Sequence, residues 1–309
     1  MQNAVPSGQD RRQQIIDFMS GFTLETTPGS AAKVHDFRDH VRAGATIFIT
    51  FLQGSDFRDT VQVAKRLKAE GFNPVPHIVA RGIPSKRYLE EALATLTGEI
   101  GVHEALCVAG TADPPAGEFR DTLQLLGTGL FDKYAISRIG MAGHPEGNPG
   151  VAAETIRRSL DWKNDFARRT GASLYLVTQF CFESGPVIAW DRQLQAQGNR
   201  LPIYVGVPGL ATIRTLLHHA KACGIGPSMQ FVARQAMNVA RLMTVSAPDK
   251  LVAELAAHKA ADPRSAIAGV HMYPLGGLKK TSDWAYAVAD GRFRMKAGGA
   301  GFEVESPPA

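Results

Sequence analysis

With 309 residues, the chain is long enough for one large α/β barrel or for two domains of ordinary size. Hydrophobic residues make up 44% of it and charged residues 20%, a balance that excludes disordered and collagen-like proteins. The formal net charge is +5, but the basic residues are scattered along the chain as pairs. We therefore expect no nucleic-acid partner, and small anionic ligands fit this charge better.

The cysteines and the N-terminal residues indicate a reducing compartment. Cys107, Cys181 and Cys223 are widely spaced and form no C-x-x-C pair, so we expect neither a disulfide framework nor a zinc knuckle. The first residues are polar, and no run approaches the length of about 18 apolar residues that a membrane helix needs. The expected location is the cytoplasm, without a membrane partner.

Eight short apolar runs, each followed by a stretch with helical periodicity, are the predicted strands. They cover residues 22–26, 45–51, 74–78, 105–109, 134–139, 173–180, 202–207 and 267–273. Apolar strands that alternate with amphipathic helices are typical of a parallel sheet that is covered on its outer face. Eight repeats favour a closed α/β fold, the (β/α)8 TIM barrel, over an open doubly wound sheet.

The interval between the seventh and eighth strands spans roughly 60 residues, which is too long for one crossover. Extra helices are predicted there over 228–245 and 248–261. No linker marks a second domain. The expected organisation is an N-terminal arm or helix over 1–20, a catalytic barrel over 21–292, and a flexible Gly- and Pro-rich tail over 293–309.

Polar side chains stand at or just after the ends of seven of these strands, where a barrel of this kind carries its catalytic groups. They are Glu25, Thr50, His77, Asp113, His144, Glu146, Gln179, His271 and Tyr273. The seventh strand ends instead in Gly206-Val207-Pro208-Gly209, where missing side chains let a flat ligand approach the backbone.

Each of these signals also has a structural interpretation. His77 can cap a strand, and the segment from His144 to Gly150 can be a plain turn. Gln179 reads as a buried-strand amide, suited either to the edge of a heterocycle or to a core hydrogen bond. No two His or Cys stand at ligand spacing within one element, so we expect no metal site.

Several nucleotide and hydrolase motifs are missing. The chain has no G-x-G-x-x-G after a strand, no G-x-x-x-x-G-K-[ST], no G-x-S-x-G and no H-E-x-x-H. A Rossmann cofactor, a P-loop nucleotide, a hydrolase elbow and a zinc protease therefore have no sequence support. Any cofactor would be held by the mouth of the barrel.

Six short segments, in this order along the chain, resemble the methylenetetrahydrofolate reductase family. They are Phe22-Thr23-Leu24-Glu25, Pro76-His77-Ile78, Gly110-Thr111-Ala112-Asp113-Pro114-Pro115, Gly143-His144-Pro145-Glu146, Val177-Thr178-Gln179-Phe180 and Gly269-Val270-His271-Met272-Tyr273. The resemblance covers about residues 20–290. It implies a barrel that binds FAD at the strand ends and passes a hydride from NAD(P)H to 5,10-methylenetetrahydrofolate, yielding 5-methyltetrahydrofolate.

The resemblance also implies roles for single residues. Glu25 falls on the family's general acid, which protonates the folate as its five-membered ring opens. Gln179 falls on the residue that binds the pterin, and Phe180 and Tyr273 lie near the substrate. A catalytic aspartate follows the fourth strand, and here Asp113 or Thr111 takes its place. The expected flavin-binding residues are Thr50, His77, Gly110, Thr111, His144, Glu146 and Lys163.

Most departures from the family lie on the flavin side, although Thr26 and Thr27 also follow Glu25 where the family has aromatic residues. Where the family has Arg-Gly-Asp before its Pro-Pro, this chain has Ala109-Gly110-Thr111-Ala112-Asp113, so the Arg is missing and the Asp is displaced. A flavin-independent reductase is therefore an alternative. Two others are a barrel lyase or aldolase acting on a phosphorylated substrate, and a non-catalytic folate- or flavin-binding barrel. A homo-oligomer is expected as a possibility, and the sequence does not decide between NADH and NADPH.

Overall fold

The computed structural model describes residues 8–52, 54–147, 151–222, 245–299 and 301–305. Eight parallel strands close a barrel in the order β1, β10, β7, β6, β5, β4, β3, β2, which confirms the predicted (β/α)8 TIM barrel. The barrel strands are β1 (Thr23–Thr26), β2 (Thr46–Ile49), β3 (Asn73–Val79), β4 (Glu104–Val108), β5 (Arg138–Gly143), β6 (Ser173–Phe180), β7 (Ile203–Pro208) and β10 (Ile267–Tyr273). Two short antiparallel pairs are β8 (Ala211–Thr212) with β9 (Val245–Ser246), and β11 (Phe293–Met295) with β12 (Phe302–Val304).

Helices follow the strands along the chain. Those in the described ranges are α1 (Gly8–Met19), α2 (Pro28–Ala31), α3 (Phe57–Ala69), α4 (Lys86–Ala94), α5 (Thr122–Leu126), α6 (Leu130–Lys133), α7 (Ala153–Thr170), α8 (Ser184–Ala196), α9 (Ile213–Ala222), α10 (Asp249–Ala261) and α11 (Leu278–Ala289). Single 3-10 turns cover Phe37–Asp39, Ala80–Gly82 and Ala297–Gly299, and a π turn, Thr95–Glu99, extends α4. Within the described residues, no helix combines the length and the apolar character that crossing a bilayer requires.

The second of the two extra helices predicted after the seventh strand is present as α10. The first one, over 228–245, falls outside the described residues except for Val245, which lies in β9. Cys223 also falls outside them, whereas Cys107 and Cys181 are buried free thiols.

The fifth strand differs from its prediction. Residues 134–139 were expected to form it, but the strand covers Arg138–Gly143. Tyr134 is the C-cap residue of α6, and Ala135 has a left-handed φ of 52°. Its sequence, RIGMAG, is rich in small residues with little strand propensity, so the β-branched signal before it was misleading. Packing explains the Gly at 140, since a Cβ there would lie 2.7 Å from Leu106 and 2.8 Å from the Tyr175 ring.

The chain divides into two compact units. The first, here called the N-terminal unit, is formed by Thr23–Gly143 and Ala153–Val177. It holds the parallel pairs β1–β2, β2–β3, β3–β4 and β4–β5. Its core consists of strand residues that are almost fully buried, such as Ile47, Ile49 and Val75.

The second, here called the C-terminal unit, is formed by the described parts of Met1–Phe22, His144–Ala152 and Thr178–Ala309. It contains the parallel pair β7–β10, and α1 packs against α10 and α11. The predicted N-terminal arm is therefore a packed helix, which buries Ile15, Phe18 and Met19.

The C-terminal segment also differs from the flexible tail that was predicted. Within 293–305, β11 and β12 form a hairpin, and Phe302 is 1% exposed and stacks on Trp284. The buried carboxylate of Asp249 accepts hydrogen bonds from the Phe302 amide and from Lys296 Nζ. The sequence did not predict this packing, because a segment rich in Gly and Pro is typical of a loop.

One lysine of the N-terminal unit lies in the interior. Lys163 of α7 is 8% exposed, and its Nζ donates to the carbonyl of Ala142 at 3.1 Å. Burial lowers the pKa of this amine to about 8. The charged form of Lys163 is therefore less favourable in the folded chain than in the unfolded chain.

We expect Lys163→Met to stabilise the protein at neutral pH by about 1 to 2 kcal/mol, because Met has a side chain of similar volume and carries no charge to desolvate. In the wild type the amine binds a proton more weakly when folded, so its stability rises with pH between about 8 and 10.5. The advantage of the variant should shrink over the same range. Urea unfolding of both proteins at neutral and alkaline pH checks this, and an advantage that does not change with pH would contradict it.

Candidate functional site

Three of the predicted strand-end residues meet in the N-terminal unit. Thr50 Oγ1 donates a hydrogen bond to Glu25 Oε1, and His77 Nε2 lies 3.9 Å from Glu25 Oε2. The parallel register explains this, because Glu25 pairs with Phe48 and the Thr50 amide donates to the Thr26 carbonyl at 2.8 Å. The side chains of Glu25 and His77 are only 12% and 9% exposed.

This group, here called the acid cluster, has the composition of a proton-transfer site. A nearly buried carboxyl group between a hydroxyl donor and an imidazole can hold a proton and deliver it to a bound molecule. The Phe48 and His77 rings form a T-shaped pair, with 6.1 Å between their centroids, and this packing limits the positions of the imidazole. The acid role of Glu25 stays a prediction.

The loop after β4 is held by an arginine that sequence reasoning missed. Arg81 Nη1 donates to the carbonyl of Ala112 at 3.1 Å and lies 4.0 Å from Asp113 Oδ1, and its Nε donates to the carbonyl of Arg120. Arg81 follows the end of β3 by two residues, which was the only signal for it. Arg81 thus holds the loop after β4 through two carbonyl groups. The family's Arg is missing from this same loop, where the chain has Ala109.

The predicted catalytic aspartate and its neighbours lie on this loop. The Asp113 side chain is 85% exposed, and Thr111 is exposed too. Gly110 has a φ of 85°, and a Cβ there would lie 2.4 Å from Val79 Cγ1. Packing inside the chain therefore accounts for the Gly at 110, whereas Asp113 is an accessible carboxylate of the loop.

The C-terminal unit carries the predicted substrate-binding residues. Gln179 is exposed, which corrects its interpretation as a buried amide, although Thr178 and Phe180 on either side are buried. Within the described residues its side chain makes no hydrogen bond, so its two donors and one acceptor face outward. An exposed amide at the end of an otherwise buried strand is suited to a ligand.

Phe180 and Phe182 follow Gln179 closely in the sequence, and these rings pack with rings from the end of β10. Phe180 forms T-shaped ring pairs with Tyr273 and Phe182, with centroid distances of 5.5 and 5.7 Å. The buried His271 ring stands at 87° to Tyr273. The Tyr273 hydroxyl donates to the Thr178 carbonyl at 2.9 Å, so its proton is already committed within the protein. Phe180 is 3% exposed and packs against the Tyr273 ring.

The remaining flavin-side residues are less informative. His144 and Glu146 are half-buried directly after β5. Burial, chiefly, raises the pKa of the Cys181 thiol to about 12, and the Glu146 carboxylate adds to this rise.

Flavin binding gains little from these contacts. The Thr50 hydroxyl is used by Glu25, the Lys163 amine is buried against a carbonyl, and the Gly at 110 is required by Val79. None of these three groups is presented to a ligand, so they do not fit a flavin site. In the part of the chain that the structure describes, no group of three or more His, Cys, Asp or Glu could hold a metal ion.

A cleft of about 240 Å³ opens in the C-terminal unit next to the end of β7. Its walls include Phe182, Ser184, Pro208, Leu216, Leu251 and Glu254. The glycines of β7 have packing reasons of their own, because a Cβ at Gly209 would lie 2.1 Å from Thr281 Oγ1 and one at Gly206 would lie 2.5 Å from the carbonyl of Gln179. Packing within the unit therefore accounts for these glycines, and the predicted approach of a flat ligand stays a prediction.

Comparison with known proteins supports the fold. No family model matches the chain. A Clostridium thermocellum protein that binds two copies of 5-methyl-5,6,7,8-tetrahydrofolic acid is 12% identical with a TM-score of 0.53, over 89% of this chain and 99% of that one. A mannohexaose complex of the Thermomonospora fusca β-mannanase is 15% identical, with a TM-score of 0.37 over 66% and 75% of the two chains. The intracellular xylanase of Thermoanaerobacterium saccharolyticum is 12% identical, with a TM-score of 0.41 over 89% and 90%. These last two similarities are too weak to support an inference, and the first shows that this chain shares its barrel fold with a protein that binds a reduced folate.

Proposed function

We propose that this protein binds a reduced folate and reduces 5,10-methylenetetrahydrofolate to 5-methyltetrahydrofolate with a hydride from NAD(P)H. The observation that carries the proposal is the acid cluster, a nearly buried Glu25 at the end of β1 with a hydroxyl donor and an imidazole beside it. The similarity in fold to a protein that binds 5-methyltetrahydrofolate supports the choice of substrate class.

The proposed reaction needs one proton and one hydride. Glu25 gives its proton to the nitrogen of the p-aminobenzoyl arm, and the bond from that nitrogen to the bridging carbon breaks. The positive charge of the resulting iminium lies on the pteridine nitrogen and the bridging carbon. The hydride from the dihydronicotinamide ring adds to that carbon, which yields the methyl group and oxidised nicotinamide. Glu25 then recovers a proton from solvent, with His77 beside it.

In the same proposal, the exposed Gln179 amide binds the pterin edge, since it offers both donors and an acceptor. The ring of Tyr273, backed by Phe180, supplies an aromatic surface for a flat ligand. Asp113, an accessible carboxylate of the loop after β4, is the candidate for a second polar contact. The expected homo-oligomer and cytoplasmic location stay predictions.

FAD would supply a hydride relay between nicotinamide and folate if it were bound. Because Thr50, Gly110 and Lys163 do not fit a flavin site, we derive no step through it and favour the flavin-independent alternative. The absorbance spectrum of the purified protein tests this choice. A colourless protein with full NAD(P)H-dependent turnover is expected, and a yellow protein whose colour NADH bleaches would restore FAD.

Binding tests the substrate class independently of turnover. Calorimetric titration with 5-methyltetrahydrofolate should give saturable binding to the wild type and weaker binding, by about tenfold, to Gln179→Ala, which loses the amide hydrogen bonds. Binding without any reductase activity would support a non-catalytic folate-binding barrel instead. No binding of any reduced folate would contradict the proposal as a whole.

We expect Thr50→Val to lower the reductase turnover about tenfold, because the substitution removes the hydroxyl that orients the Glu25 carboxyl group. Val keeps the branched shape of the side chain, so the loss reports on the hydroxyl. Thr50→Ser retains the donor and should keep at least about half of the wild-type turnover. Steady-state kinetics of the three proteins checks this, and equal turnover in Thr50→Val and the wild type would contradict the orienting role.

A further inference from the structure

The backbone around Gln179 is held by side chains where a regular strand would use backbone bonds. Thr178 Oγ1 accepts a hydrogen bond from the Gly206 amide at 2.8 Å and donates to the Gln179 carbonyl at 2.7 Å. The Cys181 thiol donates to the same Gln179 carbonyl at 3.3 Å, and the Cys181 amide bonds to the Gly206 carbonyl. The two strands are therefore joined through the Thr178 hydroxyl at this point.

The other carbonyl next to Gln179 is held in the same way. The Tyr273 hydroxyl, from the end of β10, donates to the Thr178 carbonyl at 2.9 Å. The peptide groups on both sides of the Gln179 Cα are thus fixed by hydroxyls and a thiol. Gly206 permits this close approach, since a Cβ there would lie 2.5 Å from the carbonyl of Thr178.

These bonds leave the Gln179 side chain itself unused. Its amide is exposed and makes no hydrogen bond within the described residues, whereas Thr178 is 0% exposed and cannot touch a ligand. A group that is held in its binding orientation before the ligand arrives loses less conformational entropy on binding. The network has the arrangement expected of support for a binding amide.

We propose that Thr178 is a positioning residue that acts through Gln179. Its hydroxyl holds the Gln179 carbonyl, and the Tyr273 hydroxyl holds the Thr178 carbonyl on the other side of Gln179. The inference rests on the proposed function, in which Gln179 binds the folate. It assigns to Tyr273 a role that goes beyond its ring, because the hydroxyl fixes the backbone of β6, from which β10 is separated by β7. Thr178 and Val are nearly isosteric, so Thr178→Val removes the hydroxyl with little change in volume.

A double-mutant cycle on the dissociation constant of 5-methyltetrahydrofolate tests this directly. Thr178→Val should weaken binding about tenfold in the wild-type background and less than about twofold in the Gln179→Ala background, because no amide is left to orient. Thr178→Ser retains the hydroxyl and should bind within about threefold of the wild type. Equal losses in both backgrounds would show a merely structural role and overturn the inference.

Two controls separate this from a loss of folding. Thr60 is also fully buried, but its hydroxyl has no hydrogen-bond partner within the described residues, so Thr60→Val should leave folate binding unchanged. If Thr178→Val does not fold, Tyr273→Phe in the same cycle removes the second contact and should show the same dependence on Gln179. A wild-type chain that binds no reduced folate overturns the proposed function and this inference with it. Folate binding with additive losses overturns this inference alone.

Discussion

We expect Glu25→Gln to lower the rate of methylenetetrahydrofolate reduction by about 10² to 10⁴. The amide has nearly the shape of the carboxyl group and can still accept the Thr50 hydrogen bond, but it has no acidic proton to give to the folate. The loss should lie in turnover, while the dissociation constant of 5-methyltetrahydrofolate stays within about threefold of the wild type.

Glu70 offers a matched control for this substitution. Its side chain is 14% exposed in the same unit, where it accepts hydrogen bonds from Arg66 and from the Phe37 amide. Glu70→Gln changes a carboxylate of similar burial at the end of α3, away from the C-terminal ends of the strands. We therefore expect reduction at close to the wild-type rate. Unchanged activity in Glu25→Gln would show that another group supplies the proton.

The largest effect on stability is expected from Asp191→Ala. Asp191 of α8 is completely buried, and its Oδ2 lies within 2.9 Å of His258 Nε2 in α10 and accepts from Ser265 Oγ at 2.8 Å. Gln195 Nε2 and the Ala266 amide donate to it as well. The carboxylate thereby joins two helices to the segment that enters β10.

Removing this carboxylate leaves one buried group, the His258 ring, and three partly buried donors without this acceptor, so we expect the free energy of unfolding to fall by about 3 to 5 kcal/mol. Chemical denaturation followed by circular dichroism measures this loss. Asp283→Ala is the control, because Asp283 forms a partly exposed pair with Lys279 one helical turn away and should cost less than about 0.5 kcal/mol. A loss of similar size in both variants would contradict the role of Asp191.

Much of the barrel could be predicted because its strands carry strong local signals. The strands Ser173–Phe180 and Ile267–Tyr273 have the predicted bounds, since each is a mostly apolar segment that contains several β-branched or aromatic residues. The prediction of β5 was displaced because its Gly, Ala and Met residues have little strand propensity of their own, and Gly140 is required by the packing of Leu106 and Tyr175. The hairpin at 293–305 was missed because Phe302 finds its partner, Trp284, only in the folded chain.

The acid cluster was predictable because neighbouring parallel strands bring their end residues together, and Glu25, Thr50 and His77 each stand at such an end. Arg81 and Thr178 were not predicted. An Arg in a turn and a Thr in a buried strand are common in any chain, and their importance comes from which carbonyls they reach. Contacts of this kind depend on three-dimensional geometry that no short sequence pattern contains.

The most direct test of the proposed reaction is to measure the product. The purified protein is incubated with 5,10-methylenetetrahydrofolate and NADH, or NADPH, and the 5-methyltetrahydrofolate formed is compared with the dihydronicotinamide consumed. We expect one molecule of 5-methyltetrahydrofolate for each molecule of dihydronicotinamide oxidised. If no 5-methyltetrahydrofolate forms with either nucleotide, whether or not FAD is added, the protein is not a methylenetetrahydrofolate reductase.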